Sequence, residues 1–323
     1  MVLLVSKRET MRLSVIICTH NPRDSYISRV VAGLESQTLP VHEWELLIVD
    51  NASKESVAER LNISWHPNGR HVFEAKLGLT QARLRGVAEA KGELLVFVDD
   101  DNVLDSKYLE VADRIAEQFP HIGAFGGALV GEFEAPVPDW ARPYLEGLCL
   151  KDLTRDRWSN DYAWSDAIPY GAGMCVRPAV AEEYAKKCNA QHLSAKLDRV
   201  GSRLTSAGDL DLAWTALDLG FGTGRFRDLR ALHLIPKERL TEDYLVRLYA
   251  GYSYSNIILW YTRGLMKGKP ENDWREKVRH LIAFIRMRGV RRRMYFASRS
   301  AAIEAWSVLE ANGHHALSGE SLS

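Results

Sequence analysis

The sequence predicts an α/β fold, a mostly parallel sheet flanked by helices, followed by a helical C-terminal extension. Three observations predict it. Apolar runs of strand length alternate with apolar positions at helical spacing through the first part of the chain, the alternation that builds parallel sheets covered on both faces. One run, Leu94-Leu95-Val96-Phe97-Val98, leads straight into Asp99-Asp100-Asp101-Asn102; five consecutive apolar residues read as a strand buried on both faces. After Thr241 the pattern is helical to about Leu309, and between Thr262 and Ser300 it holds 12 Lys or Arg against 3 Asp or Glu, a local charge of +9.

Composition narrows the function classes. The 323 residues allow one large domain or two small ones, and 46% of them are apolar, ample for a core. Lys+Arg and Asp+Glu are equal at 42 each, so the whole chain offers no general attraction to nucleic acid. No apolar run approaches the ~20 residues of a membrane span. Val2-Leu3-Leu4-Val5 is too short for the core of a signal peptide, and residues 1–11 are expected to be an extension ahead of the fold. Cys18, Cys149, Cys175 and Cys188 show neither metal spacing nor disulfide density. Cys18 and Cys175 sit in apolar runs, as buried thiols would, and a reducing cytoplasm suits all four.

In order, Ser14–Cys18 is the first strand. Asp24 or Ser25 is placed to cap the next helix, whose face is Ile27, Val30, Val31 and Leu34. Glu45–Val49 is the second strand, ending in Asp50-Asn51, and Ser53 caps a short helix to Leu61. His71–Phe73 is a short third strand, and Gly78 opens a helix that ends near Gly92. Leu94–Val98 is the fourth strand, and Asp105 caps the helix carrying Leu109, Ala112, Ala116 and Phe119. Ile122–Val130 is Gly-rich and reads as a strand with close backbone contacts. Residues 136–166, with Trp140, Trp158 and Trp164, read as an irregular lid or acceptor region. Gly171 and Gly173 lie in a loop entering a strand, and Pro178 starts a helix. Gly208-Asp209-Leu210-Asp211 opens another, closed by Gly220, and a strand follows to His233.

Three strand ends therefore carry polar residues to one edge of the sheet: Thr19-His20-Asn21, Asp50-Asn51, and Asp99 with Asp101. That carboxyl edge is where open α/β sheets bind ligands. Side chains alternate along a strand, so Asp99 and Asp101 share a direction and Asp100 takes the other. Two carboxylates ~5 Å apart repel by roughly 3 kcal/mol at an effective dielectric of ~20. A divalent cation, which favours oxygen ligands, is the simplest way to offset that.

These pieces, in this order, resemble the family 2 glycosyltransferases of the GT-A fold, a Rossmann-like architecture. The resemblance covers about residues 12–235 and rests on Thr19-His20-Asn21, Val49-Asp50-Asn51-Ala52-Ser53, Gly78 through Gly86, Asp99-Asp100-Asp101 and Gly208-Asp209-Leu210-Asp211. It implies metal-dependent, inverting transfer of a sugar from a nucleotide-diphosphate donor, most commonly a UDP-sugar, to a glycan or lipid-linked saccharide. It implies an Asp-x-Asp pattern in which Asp101 binds Mg²⁺ or Mn²⁺ and Asp99 lies near the ribose, with Asp100 secondary. It further implies donor contacts from Thr19, Asn21, Asp50 and Arg83. An inverting transfer needs a general base on the acceptor hydroxyl; the resemblance assigns Asp209, with Asp211 as runner-up and N-capping as the bland role for Asp209. The family often reads Glu-Asp here, and Gly208 stands where the Glu would be. It reads Ala-Arg-Asn where this chain has Ala82-Arg83-Leu84. His233 is a candidate to complete the metal site, against the plain reading of a core histidine, and Arg83 has a structural ion pair as its alternative.

The expected organisation is a nucleotide-sugar-binding half over 12–104, an acceptor half over 105–240, and a basic helical region over 241–323. In that region Trp274, Val278, Leu281, Ile282 and Ile285 share one helical face beside Arg275, Arg279 and Arg286. Residues 274–299 could thus lie on an anionic membrane from the cytoplasmic face, or pack on the catalytic domain with a solvated basic face. Two rivals stand beside the transferase. A sugar-phosphate nucleotidyltransferase would carry a Gly-rich basic loop after the first strand, which Thr19-His20-Asn21-Pro22 is not. A non-catalytic nucleotide-sugar or glycan-binding module would need no base.

Overall fold

The computed structural model describes residues 11–162, 166–190, 197–199, 204–266, 268–269 and 274–312. The expected N-terminal extension, apart from its last residue, and Trp164 lie outside them. The first half is the expected alternation. Strands β1 (Leu13–Thr19), β2 (Trp44–Asp50), β3 (Gly69–Phe73) and β4 (Leu94–Asp99) alternate with helices α1 (Asp24–Glu35), α2 (Val57–Arg60) and α3 (Leu79–Glu89). The strands pair in parallel in the order β3-β2-β1-β4. Register sets Thr19 opposite Asp50, and Cys18 opposite Asp99, so the three polar strand ends lie side by side.

Both faces of this sheet are buried, and the alternation of side chains assigns each residue to a layer. Val15, Ile17, Leu46, Ile48, Val96 and Val98 pack with Ile27 and Val30 of α1 and with Leu109 of α4 (Tyr108–Gln118). Ile16, Leu47, Val49, Leu95 and Phe97 pack on the other side. Their partners there are Ala82 of α3, Val180 and Tyr184 of α5 (Pro178–Ala190), and Leu212 of α6 (Gly208–Asp218). Asp99 continues the parity of Leu95 and Phe97, so it leaves the strand on the side of α6.

The second half adds β5 (Asn102–Leu104), β6 (Ile122–Phe133), β7 (Arg157–Ser159), β8 (Met174–Val176) and β9 (Gly222–Ile235), completing a nine-stranded sheet. The long ladders are parallel; β8 joins β4 to β6 by short antiparallel pairings. β6 and β9 run together along nearly their full length, and at Gly127 a Cβ would collide with the Leu229 backbone, the close contact expected of the Gly-rich strand. The short β5 pairs antiparallel with β9 and places Asn102 opposite His233. Helices α7 (Glu242–Thr262), α8 (Trp274–Arg286) and α9 (Gly289–Ala311) follow. Thr241 caps α7, its hydroxyl accepting from the Tyr244 N–H. Ile258 and Leu259 of α7, with Trp306 and Leu309 of α9, pack on Trp214 and Leu217 of α6. No helix among the described residues is long and apolar enough to cross a membrane.

Several caps differ from expectation. Helix α1 begins at Asp24 with no side-chain cap, and Asp105 caps the Lys107 N–H rather than a residue inside α4. Helix α2 begins only at Val57 because Asp50 holds the turn before it, accepting from the Ser53 and Val57 N–H groups. Ser53 instead accepts from the Asn21 N–H across the sheet edge. Cys175 is buried as expected, whereas Cys18 is half-buried. All four cysteines are free.

Candidate functional site: two cavities and a shared carboxylate

The strand ends open into a cavity of about 280 Å³. Of the residues the sequence singled out, Thr19, Arg83, Asp99, Asp100, Asp101, Asp209 and His233 line it. The three aspartates divide by partner, although only Asp99 belongs to β4 and Asp100 and Asp101 form the turn to β5. Asn102 reaches both Asp101, at 2.7 Å, and Asp99, at 3.5 Å. Asp100 turns the other way, to the Thr19 hydroxyl. Burial raises the pKa of Asp99, and Asp101 raises it further. Asp100 is pushed up to about 7, by burial first and then by Asp101. Burial also opposes the charge on Asp101, but Arg239 and His233 beside it outweigh that and hold its carboxyl below the usual range.

Arg239 and Arg199 were not singled out from sequence, and both line this cavity. The Arg239 guanidinium lies 2.7 Å from Asp101 and 2.9 Å from Nε2 of His233. His233 Nδ1 faces the Leu148 carbonyl at 3.2 Å. The tautomer that satisfies both bonds carries its proton on Nδ1 and accepts the Arg239 N–H at Nε2. Asp101 and His233 thus come together, with 3.5 Å between Nε2 and Oδ2. Their O and N donors have the chemistry of a Mg²⁺ or Mn²⁺ site. With the guanidinium bonded to both, however, the arrangement does not fit a cation. No cluster of three or more His, Cys, Asp or Glu suited to a metal is present among the described residues.

Two expected donor contacts do not line the cavity. Both oxygens of Asp50 are taken by backbone N–H groups, and it is buried. Asn21 is exposed, in the left-handed region at φ 50°, and its side-chain oxygen accepts from the Lys54 N–H. Both act in the described structure to hold the loops at the sheet edge. Neighbouring residues take the wall instead: His20, and Asn51, whose amide ties Glu74, Lys76 and Gly78 together.

The head of α6 explains the missing Glu. Asp198, unmarked in the sequence, accepts from the Gly208 N–H at 3.2 Å, from Thr80, and from Arg83 at 3.0 Å in a buried pair. A Cβ at position 208 would collide with the Asp198 carboxylate, so glycine is required there. Asp198 therefore does the capping, and Asp209, one residue inside the helix, is not the N-cap. Asp209 Oδ2 accepts from the Gly171 N–H at 3.1 Å. Gly171 passes between Arg83 and Asp209, where a Cβ would stand 2.8 Å and 3.1 Å from them. Arg83 is thus both an ion-pair partner and part of the cavity wall.

Asp211 lies elsewhere. It is buried against Arg263, whose Nε donates to it at 2.6 Å, and it lines neither cavity. It anchors α6 to the end of α7, and this removes it as a base.

A second cavity of about 690 Å³ adjoins the first. Tyr162, Tyr170, Trp214, Tyr252 and Trp260 are among its walls, with Lys151, Arg225 and Asn256 as polar members. The Arg225 guanidinium sits 4.0 Å from the centre of the Tyr170 ring. Cys149, Tyr170, Ser206, Asp209 and Tyr252 belong to both cavities, so the Asp209 carboxylate stands in the shared wall. Trp140 and Trp158, expected near an acceptor, line neither, and Trp158 is exposed. Tyr162 is the aromatic wall residue from that region; Trp214 of α6, Tyr252 and Trp260 of α7, and Tyr170 supply the rest.

Comparison with known proteins agrees with this architecture. Residues 14–164 match the model of glycosyl transferase family 2. An uncharacterized glycosyltransferase of Haemophilus influenzae is 31% identical over 110 residues, 34% of this chain and 36% of that protein. The glucosyl-dolichyl phosphate glucuronosyltransferase of Haloferax volcanii is 25% identical over 134 residues, 40% of this chain and 42% of that one. The chain thus aligns with well under half the length of these relatives. A crystal structure of S. aureus TarS in complex with UDP superposes with a TM-score of 0.52 at 16% identity, covering 94% of this chain and 91% of that one, which shows a shared fold. Residues 14–164, a little under half of the chain, thus resemble glycosyl transferase family 2, and the architecture is the GT-A fold.

Proposed function

We propose that the chain is an inverting glycosyltransferase. It takes a nucleotide-diphosphate sugar in the charged cavity and passes the sugar to a hydroxyl of a saccharide, free or lipid-linked, in the aromatic one. The observation that carries this is the Asp209 carboxylate in the wall common to both cavities. A base there accepts the proton of the acceptor hydroxyl as that oxygen attacks the anomeric carbon. The nucleoside diphosphate departs with the bonding electrons from the opposite face. The leaving group gathers negative charge, and Arg239 and Arg199 line the side where it departs, which is electrostatic stabilisation of the transition state. Asp99 and Thr19 are proposed to hold the nucleotide. Aromatic rings present flat apolar faces to sugar C–H groups while polar neighbours take the hydroxyls. UDP is the first nucleotide to try, since the S. aureus TarS structure contains it; the dolichyl-linked substrate named for the H. volcanii relative makes a lipid-linked acceptor a reasonable first choice.

The test pairs binding with turnover. UDP at ~100 times its Kd should stabilise the protein by about 2.7 kcal/mol, read as a thermal shift. Asp209→Asn should keep that shift and lose transfer. Transfer surviving in Asp209→Asn would remove the base assignment, and no shift with any nucleotide diphosphate would remove the donor site. The same assays run with and without Mn²⁺ address the expected metal dependence. A strict requirement for the ion would mean that Arg239 leaves Asp101 when donor binds.

A further inference from the structure

Helix α8 carries an apolar row that nothing among the described residues covers. Val278, Leu281, Ile282 and Ile285, at helical spacings of three, one and three, are 43%, 59%, 43% and 65% exposed. Contacts with α9 are made from the other side: the His280 ring meets the Tyr295 hydroxyl, and Phe284, itself 53% exposed, meets Phe296 of α9 at 6.3 Å between ring centres. The apolar row is therefore the outward face of a docked helix. A solvated basic face with the apolar side packed inward, the alternative expected from sequence, would place these residues the other way.

The surroundings of that face are cationic. Arg286, Arg288 and Arg291 are exposed at its end. On the α9 side, the Arg292 guanidinium lies 4.0 Å from the centre of the Phe284 ring. The segment from Thr262 to Ser300 holds a net +9 in a chain of formal charge zero, of which Arg263, Lys269 and Arg293 are paired with carboxylates outside the segment. A second copy meeting this face would set like charge against like charge, which disfavours self-association. A row of aliphatic side chains with flanking arginines, on a helix too short and too polar to span, matches the interface of an anionic bilayer, where apolar side chains enter the acyl boundary and arginines meet phosphates. We propose that α8, with the start of α9, docks in the plane of an anionic membrane surface. This goes beyond the transfer reaction and stands whether or not the acceptor is lipid-linked.

The experiment is co-sedimentation of the full chain with extruded vesicles of phosphatidylcholine alone or mixed with phosphatidylglycerol, in low and high salt. Binding should be at least about tenfold tighter to the anionic vesicles and should weaken as salt rises. Ile282→Asp with Ile285→Asp should lower binding at least about tenfold, and Arg286→Glu with Arg288→Glu and Arg291→Glu should do the same. Helix content by circular dichroism and the nucleotide thermal shift should stay at wild-type values in both variants, which separates this proposal from the fate of the donor site. Equal partitioning to both vesicle types, or none to either, would overturn it. So would a dimer in light scattering that the Ile282→Asp, Ile285→Asp variant dissolves, which would make α8 a self-interface.

Discussion

The two cavities that share Asp209 are built from opposite materials. The smaller lies at the ends of parallel strands and concentrates charge: Asp99, Asp100, Asp101, Arg83, Arg199 and Arg239 all face it. The larger lies between α6, α7 and the loop before β8 and is mostly aromatic. In the first, fixed charges have already been desolvated, so each partner lost leaves another unpaired. In the second the walls are shape and flat apolar surface, where single losses cost less. Asp209 belongs to both and is held by the Gly171 N–H rather than by a cation.

The largest expected effect falls on the shared residue. Asp209→Asn keeps the bond from Gly171 and removes the base, so initial-rate assays should show transfer about 10³-fold lower, with nucleotide affinity unchanged. A comparable loss of nucleotide affinity would move Asp209 from the wall to the donor side.

Next is the pair behind that wall. Arg263→Met leaves Asp211 buried without its partner and should cost about 3 kcal/mol in denaturant unfolding. Because Asp211 lines neither cavity, the surviving folded protein should bind nucleotide normally. An effect on transfer alone, with stability intact, would restore Asp211 as a candidate base.

A site remote from both cavities supplies a reference. His66 is packed among Trp44 and Trp65, and burial lowers its pKa to about 4. The folded chain thus refuses a proton that the unfolded chain accepts below ~6.5. Its contribution to stability is whole above that pH and is lost as pH falls toward 4, by about 3 kcal/mol. His66→Phe should flatten that part of the stability–pH curve measured by urea melts. If it does not, the acid sensitivity originates elsewhere, with the aspartates at the strand ends the first place to look.

The smallest effect tests the aromatic side. Trp260→Ala should raise the KM for acceptor about tenfold while leaving kcat and the UDP shift in place, since stacking on one ring is worth about 1–1.5 kcal/mol. A change in donor KM instead would show that the two cavities do not divide the substrates.

Much of this was legible in the residues. An apolar run buried on both faces needs no partner to be named before it reads as a central strand. The convergence of Thr19, Asp99, Asp100 and Asp101 follows from parallel pairing, because parallel strands bring like ends together. The position of Asp209 at a helix head next to that edge was also within reach. Asp198, Arg199 and Arg239 were not, because each lies in a segment with no periodicity and matters only through what lies across from it. The same reason puts Asp50 and Asp211 outside the cavity walls. A carboxylate in a sequence is an acceptor without an address, and whether a backbone turn, an arginine or a ligand reaches it first depends on distances the local pattern does not carry.

Sequence alone determined the layers, the edge and the carboxylates, because burial and alternation are local properties of the chain. Only the tertiary structure decided the pairings. Arg239 stands between Asp101 and His233, Asp198 fills the space that Gly208 leaves open, and α7 closes the aromatic cavity against α6. These contacts join different elements, and their identities are set by packing geometry, which no single segment contains.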